Sequence, residues 1–254
     1  GVAPGPFRDS PVDLSRWKEY FLAHEIAHQW WGQGLAWESY SDQWLSEGIA
    51  QFAAIQFLKE KYGDKVYAQI LEKFSRGTRK KTKWGAITMG ARISYFDFNA
   101  YQTIVYNKTA LVLNMLQDIL GEEAFYTGLK RFYNRFRYRA ANSKAFFQAF
   151  RDLTSRDLNP FFEMWFNSHL LPKVTVTHSL HKEADGYRLK FNVTQSQNKF
   201  IFPLWIEWRE QGRKVRKLVV IDNMAVNYET RASRKPEKIK INPDAAVPGE
   251  FRFK

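Results

Sequence analysis

Apolar positions along the 254-residue chain recur first with the period of a helix and later with that of a strand. Trp17, Tyr20, Phe21, His24, Ala27, His28 and Trp31 follow at three- and four-residue steps. That spacing lays them on one helix face, which Gly32 and Gly34 bring to a stop. Ahead of it Gly1, Pro4, Gly5, Pro6 and Pro11 carry turn chemistry, with Asp13 or Ser15 able to cap. A second helix is expected from Ser41 or Asp42 through Phe57, with Asp42 as its cap and Gly63 just past its end. A third runs from Asp64 to about Ser75. The dense charge of residues 76–83 around Gly77 predicts a basic surface loop, and the irregular pattern of 84–99 predicts short extended pieces. Helical periodicity returns over 104–120, which Gly121 ends, and again over 122–137, 143–153 and 159–168.

Beyond Pro172 the period falls to two. Val174/Val176, Tyr187/Leu189/Phe191/Val193, Leu218/Val220 and Ile239/Ile241 alternate with polar residues, as half-buried strands do. Six or seven short strands are enough for a small antiparallel β-sandwich. The expected fold class is therefore α+β, with a mainly helical domain over 1–171 and a sandwich over 172–254.

Composition narrows the chemistry. The absence of cysteine excludes disulfides and thiolate metal sites and leaves the compartment open. No apolar run reaches the length of a membrane span. The net charge of +13 invites a nucleic-acid reading, but residues 1–170 hold 22 basic and 17 acidic residues, against 17 and 9 in 171–254. Most of the excess thus lies on the strand-rich tail, and no zinc-finger, homeodomain or RNA-recognition motif accompanies it. The basic run 76–83 and the cluster Lys130, Arg131, Arg135, Arg137 and Arg139 read as solvated faces, with no specific nucleic-acid partner.

The sharper signal is His24-Glu25-Ile26-Ala27-His28. Histidines four apart project from one helix face and can share a tetrahedral cation, while the glutamate between them can reach a water there as general base. In a chain of this composition such a pattern arises by chance about 0.006 times. A catalytic zinc keeps three protein ligands, and Glu47, beside Gly48 on the next helix, is the best third. Gln51, one turn on, either orients a ligand or sits on the helix surface; Trp30 and Trp31 read as core packing for the histidine helix. His169, His178 and His181 have no partner at ligand spacing.

His24-Glu25-Ile26-Ala27-His28-Gln29-Trp30-Trp31-Gly32 together with Trp44-Leu45-Ser46-Glu47-Gly48 resembles the zinc aminopeptidases related to aminopeptidase N, of the gluzincin group. Residues 104–116 resemble that family's Tyr-x-Lys-Gly-Ala helix, and the likeness continues more weakly through 161–166 into the tail. The resemblance implies a thermolysin-like zinc-peptidase domain, present in its C-terminal part, followed by a β-sandwich. It implies one Zn²⁺ ion on His24, His28 and Glu47, with Glu25 as the base and Tyr106 as the oxyanion partner. A peptide would be the substrate, cleaved most often at its N-terminus. Thr109 stands where the family has glycine, Ser46 where asparagine is commoner, and Leu171 precedes Pro172 where glycine is usual. The family's Gly-x-Met-Glu-Asn segment, which grips the substrate amine, is not in residues 1–23. Its absence and the non-methionine Gly1 suggest a chain lacking the family's N-terminal domain. Two alternatives stay open: an endopeptidase, or a non-catalytic metal-binding scaffold.

Overall fold

A computed structural model describes residues 12–254, so the turns expected at Gly1 to Pro11 lie outside the described residues. The chain forms two compact units, one ending at Leu170 and the other spanning Leu171–Lys254. Helices dominate the first and strands the second, which makes the fold α+β.

In the helical unit, α1 (Glu19–Ala27) is shorter than its apolar pattern predicts. Trp30 N and Trp31 N both turn back to the Ala27 carbonyl, and α1 ends four residues short of Trp31, the last residue of the expected face. The tightened turn swings Trp30 outward to 50% exposure, correcting the expectation that it packs in the core. Trp31 meets the Tyr133 ring edge-on at 5.6 Å. Next comes α2 (Trp44–Tyr62), nineteen residues long and stopped by Gly63. Asp42 does not cap it. Its carboxylate accepts from Ser39 Oγ, and from Ser143 N and Oγ at the start of α7 (Ser143–Arg151).

The basic run is not a loop. It forms the last turns of α3 (Asp64–Lys81), because Ser75 and Thr78 turn inward while Arg76 and Lys80 point to water. Nor are residues 84–99 extended. They coil as tight helical turns over Ile87–Tyr95 and enter α4 (Phe98–Tyr101), which Asp97 caps by accepting from Ala100 N. The long helix expected over 104–120 is two pieces in series. A π-helical stretch, Gln102–Lys108, follows α4 and leads into α5 (Thr109–Leu120). From Thr103 to Leu116 every residue is buried except Tyr106, which is half-buried. Then come α6 (Glu122–Phe136), α7 and α8 (Asn159–Phe162), the last passing into a second π stretch, Glu163–Asn167. A short parallel pair, β1 (Ala36–Trp37) with β2 (Ala140–Ala141), ties the loop after α1 to the end of α6.

The second unit holds seven strands: β3 (Lys173–Glu183), β4 (Gly186–Ser196), β5 (Phe202–Glu210), β6 (Arg213–Ile221), β7 (Ala225–Ala232), β8 (Glu237–Ile241) and β9 (Glu250–Phe253). They form two sheets, ordered β7-β4-β3-β9 and β6-β5-β8. Adjacent strands are antiparallel except β3 and β9, which run parallel, a departure from the all-antiparallel expectation. Val174, Val176, Leu189, Phe191 and Val193 supply the buried face of the first sheet.

Candidate metal centre

The five residues singled out from the sequence come together in the helical unit. His24 and Glu25 lie on α1, His28 at its C-cap, Glu47 in the first turn of α2, and Tyr106 in the π stretch. His24 is buried and His28 and Glu47 half-buried, while Glu25 is exposed on an open cleft shared with His28, Ser46 and Glu47.

Nε2 of His24 and of His28 stand 3.5 and 3.4 Å from the same Glu47 oxygen, and the three donor atoms all lie within 4.8 Å of one another. Zinc bonds of about 2.0–2.1 Å in a tetrahedron put neighbouring donors about 3.3–3.4 Å apart. Both separations to the carboxylate fall close to that spacing, and two imidazoles with a carboxylate form a donor set that could hold a metal ion. Among the described residues no other group of three metal-binding side chains converges in this way.

The supporting contacts set the direction of the lone pairs. His28 Nδ1 lies 2.8 Å from the Trp31 carbonyl. A carbonyl only accepts, so that nitrogen carries the proton and Nε2 is bare in the neutral ring. Ser46 Oγ, 3.2 Å from the same Nδ1, donates to the same carbonyl at 3.1 Å. Gly32 makes this arrangement possible: its φ is +120°, and a Cβ there would stand 2.5 Å from Ser46 Oγ. His24 is held by rings instead. Its Nδ1 is buried with no hydrogen-bond partner among the described residues. Its imidazole stacks on Tyr106 (centroids 5.8 Å apart, planes at 13°) and meets His28 edge-on at 4.8 Å.

Electrostatics follow from this crowding. Burial pushes the Glu47 carboxyl upward, but hydrogen bonds and charge from the two imidazoles outweigh it and hold the pKa at about 2. Hydrogen bonding to Glu47 raises His28 above its ordinary value, against the pull of burial. Burial first, and the Glu47 charge second, push the Tyr106 phenol far upward, so it remains a protonated donor at any physiological pH.

Gly48 explains how the Tyr106 segment comes so close. A Cβ at that position would lie 2.3 Å from Thr109 Cγ2 and 3.0 Å from the Val105 carbonyl, so α2 approaches the π stretch and α5 backbone to backbone. Thr109, where the resemblance leads one to expect glycine, fits only because residue 48 has no side chain. Three residues near the centre gave no signal of their own in sequence. Tyr101 meets Tyr106 edge-on at 5.6 Å, and Tyr20 and Asn107 are joined through Gln51, which is buried and not on the helix surface. The remaining histidines lie elsewhere: His178 and His181 contact the Lys254 carbonyl and Ser179 on the tail, and the His169 carbonyl accepts from Thr82.

Residues 8–165 match the profile described as the peptidase family M1 domain. The chain is 23% identical over 230 residues to "Probable aminopeptidase 1" of Sulfurisphaera tokodaii, covering 87% of this chain and 28% of that one. It is 32% identical over 171 residues to human "Endoplasmic reticulum aminopeptidase 2", covering 63% and 17%. Among solved structures it is similar to Legionella pneumophila aminopeptidase A in complex with aspartic acid. That match has a TM-score of 0.72 at 16% identity and covers 92% of this chain and 27% of the other. The chain therefore spans less than a third of the length of the relatives it matches.

Proposed function

The chain belongs to peptidase family M1, and from that premise we propose that it carries the metal site of a zinc-dependent aminopeptidase. The observation that carries this reading is the convergence of His24, His28 and Glu47, their donor atoms within 4.8 Å of one another, with Glu25 facing the same cleft. On this reading those three residues hold one Zn²⁺ ion. Zinc bound there would polarise a peptide carbonyl and make water more acidic. Glu25, free at the cleft surface, takes a proton from the attacking water and delivers it to the departing amine. Tyr106, kept protonated by burial, donates its hydroxyl to the carbonyl oxygen as negative charge gathers on it. Removal of N-terminal residues is favoured because the relatives' names are those of aminopeptidases.

The same reading assigns residues 1–171 to a thermolysin-like domain and 172–254 to a β-sandwich. Contact between the Phe202 ring of β5 and the Phe251 ring of β9, at 6.2 Å, supports the sandwich by bringing the two sheets face to face.

The test is Glu25→Gln. That variant is expected to retain about one zinc per chain while losing at least about a thousandfold in kcat on aminoacyl amides. Full turnover in Glu25→Gln would refute the mechanism, and efficient cleavage of N-acetylated peptides by the native protein would refute the aminopeptidase assignment.

A further inference from the structure

Three buried polar side chains join the elements that carry the candidate centre, one helical turn away from it. Tyr20 precedes His24 by four residues on α1, Gln51 follows Glu47 by four on α2, and Asn107 adjoins Tyr106 in the π stretch. The Tyr20 hydroxyl donates to Gln51 Oε1, and Gln51 Nε2 donates to Asn107 Oδ1 at 2.6 Å. The three residues are 6%, 3% and 3% exposed. A single amide thus uses its carbonyl on one neighbouring element and its NH₂ on the other.

We propose that Gln51 is a positioning residue for the hydrolytic site, fixing the rotation of the His24 helix and of the Tyr106 turn against the helix that carries Glu47. The proposal rests on the metallopeptidase reading above. Away from the centre, the polar ties between α1 and α2 are the bonds of Glu19 to Lys61 and Tyr62, which lie exposed to water and hold the helix loosely. The Gln51 bonds add a buried point shared by both elements, four residues from His24 along α1 and one residue from Tyr106 along the π stretch. Hydrogen bonds fix direction, whereas apolar packing tolerates sliding. A roll of α1 would carry His24 Nε2 away from the Glu47 carboxylate. A rotation of the π stretch would slide the Tyr106 ring off the His24 ring. Gln51 therefore acts on metal affinity through His24 and on turnover through Tyr106. Neither effect requires Gln51 to touch the metal or the substrate.

The decisive variant is Gln51→Met, which keeps length and removes both bonds. Zinc affinity of the apo protein, measured by competition with a chromophoric chelator, is expected to fall about 10- to 100-fold. kcat on an aminoacyl amide is expected to fall about tenfold with KM within about twofold. Tyr20→Phe, which loses the bond to Gln51 and keeps the ring, is expected to weaken zinc in the same direction by a smaller factor. The triple variant Tyr20→Phe/Gln51→Met/Asn107→Leu removes all three members of the chain, so that none strands another, and is expected to regain melting temperature without regaining zinc affinity or kcat. Native zinc affinity and kcat in Gln51→Met, or their return in the triple variant, would overturn the positioning role. If Gln51→Met does not fold, unchanged zinc affinity in Tyr20→Phe overturns it instead. A native protein that neither binds zinc nor hydrolyses peptides would refute the functional reading first, and the positioning role with it.

Discussion

Lys108 offers a test of the fold in which the sign of the effect is fixed beforehand and its size follows to an order of magnitude. Its side chain is wholly buried, its Nζ donates to the Ser168 carbonyl at 3.0 Å, and no carboxylate among the described residues pairs with it. Burial lowers its pKa from 10.5 to about 7. Below pH 7 folded and unfolded chains both carry the proton, and the folded state bears the full cost of the buried cation. Between pH 7 and 10.5 the folded state has shed the proton while the unfolded state still holds it, so stability rises with pH. The difference of about 3 pH units, at about 1.4 kcal/mol each, is on the order of 4–5 kcal/mol, most of it regained between pH 7 and 10. Lys108→Met fills the space without a titrating group. Urea unfolding followed by far-ultraviolet circular dichroism, which reports the helical unit, should show the native midpoint moving up by about 1–2 M relative to the variant over that range. The Ser168 carbonyl left without its donor shifts the variant's stability at every pH equally and so does not enter the slope. Parallel pH dependence in the two proteins would refute the placement of a buried, unpaired lysine here.

Two further predictions probe the surroundings of the centre. Gly48→Ala places a methyl 2.3 Å from Thr109 Cγ2 and is expected to cost about 1–3 kcal/mol in thermal unfolding. Adding Thr109→Gly should recover at least about 1 kcal/mol of that loss, and strict additivity of the two changes would refute the shared contact. Tyr106→Phe is expected to lower kcat about 100- to 1,000-fold while zinc content stays native, because the phenol is a donor and not a ligand; an unchanged kcat would remove Tyr106 from the chemistry.

Much of the candidate centre was legible in the chain because its candidate ligands obey helical spacing. His24 and His28 are four apart, and that interval alone puts their imidazoles on one side of a helix. Glu47 followed from the need for a third ligand. Tyr106 was one of 12 tyrosines and stood out only through resemblance, since nothing local distinguishes it. The Tyr20–Gln51–Asn107 chain was illegible for a different reason: its members are 31 and 56 residues apart, and no periodicity links them. The π stretch was hidden because it runs straight into α5 within one helical pattern, and nothing in the residue order distinguishes a π turn from an α turn. The end of α3 was misread as a loop because charge density masked an amphipathic helix, whose inward positions there are the small polar residues Ser75 and Thr78.

The burial of Thr103–Leu116 has a consequence for how this segment tolerates change. An ordinary surface helix has a wet side on which substitutions accumulate at little cost; here that freedom has shrunk to a single half-buried phenol. Gly48 and Thr109 show what remains, for they contend for one volume and side-chain bulk fits on one partner only. Divergence along this axis of the helical unit is thus constrained to proceed by paired exchanges, bulk passing from one element to its neighbour, with Tyr106 left facing the centre throughout.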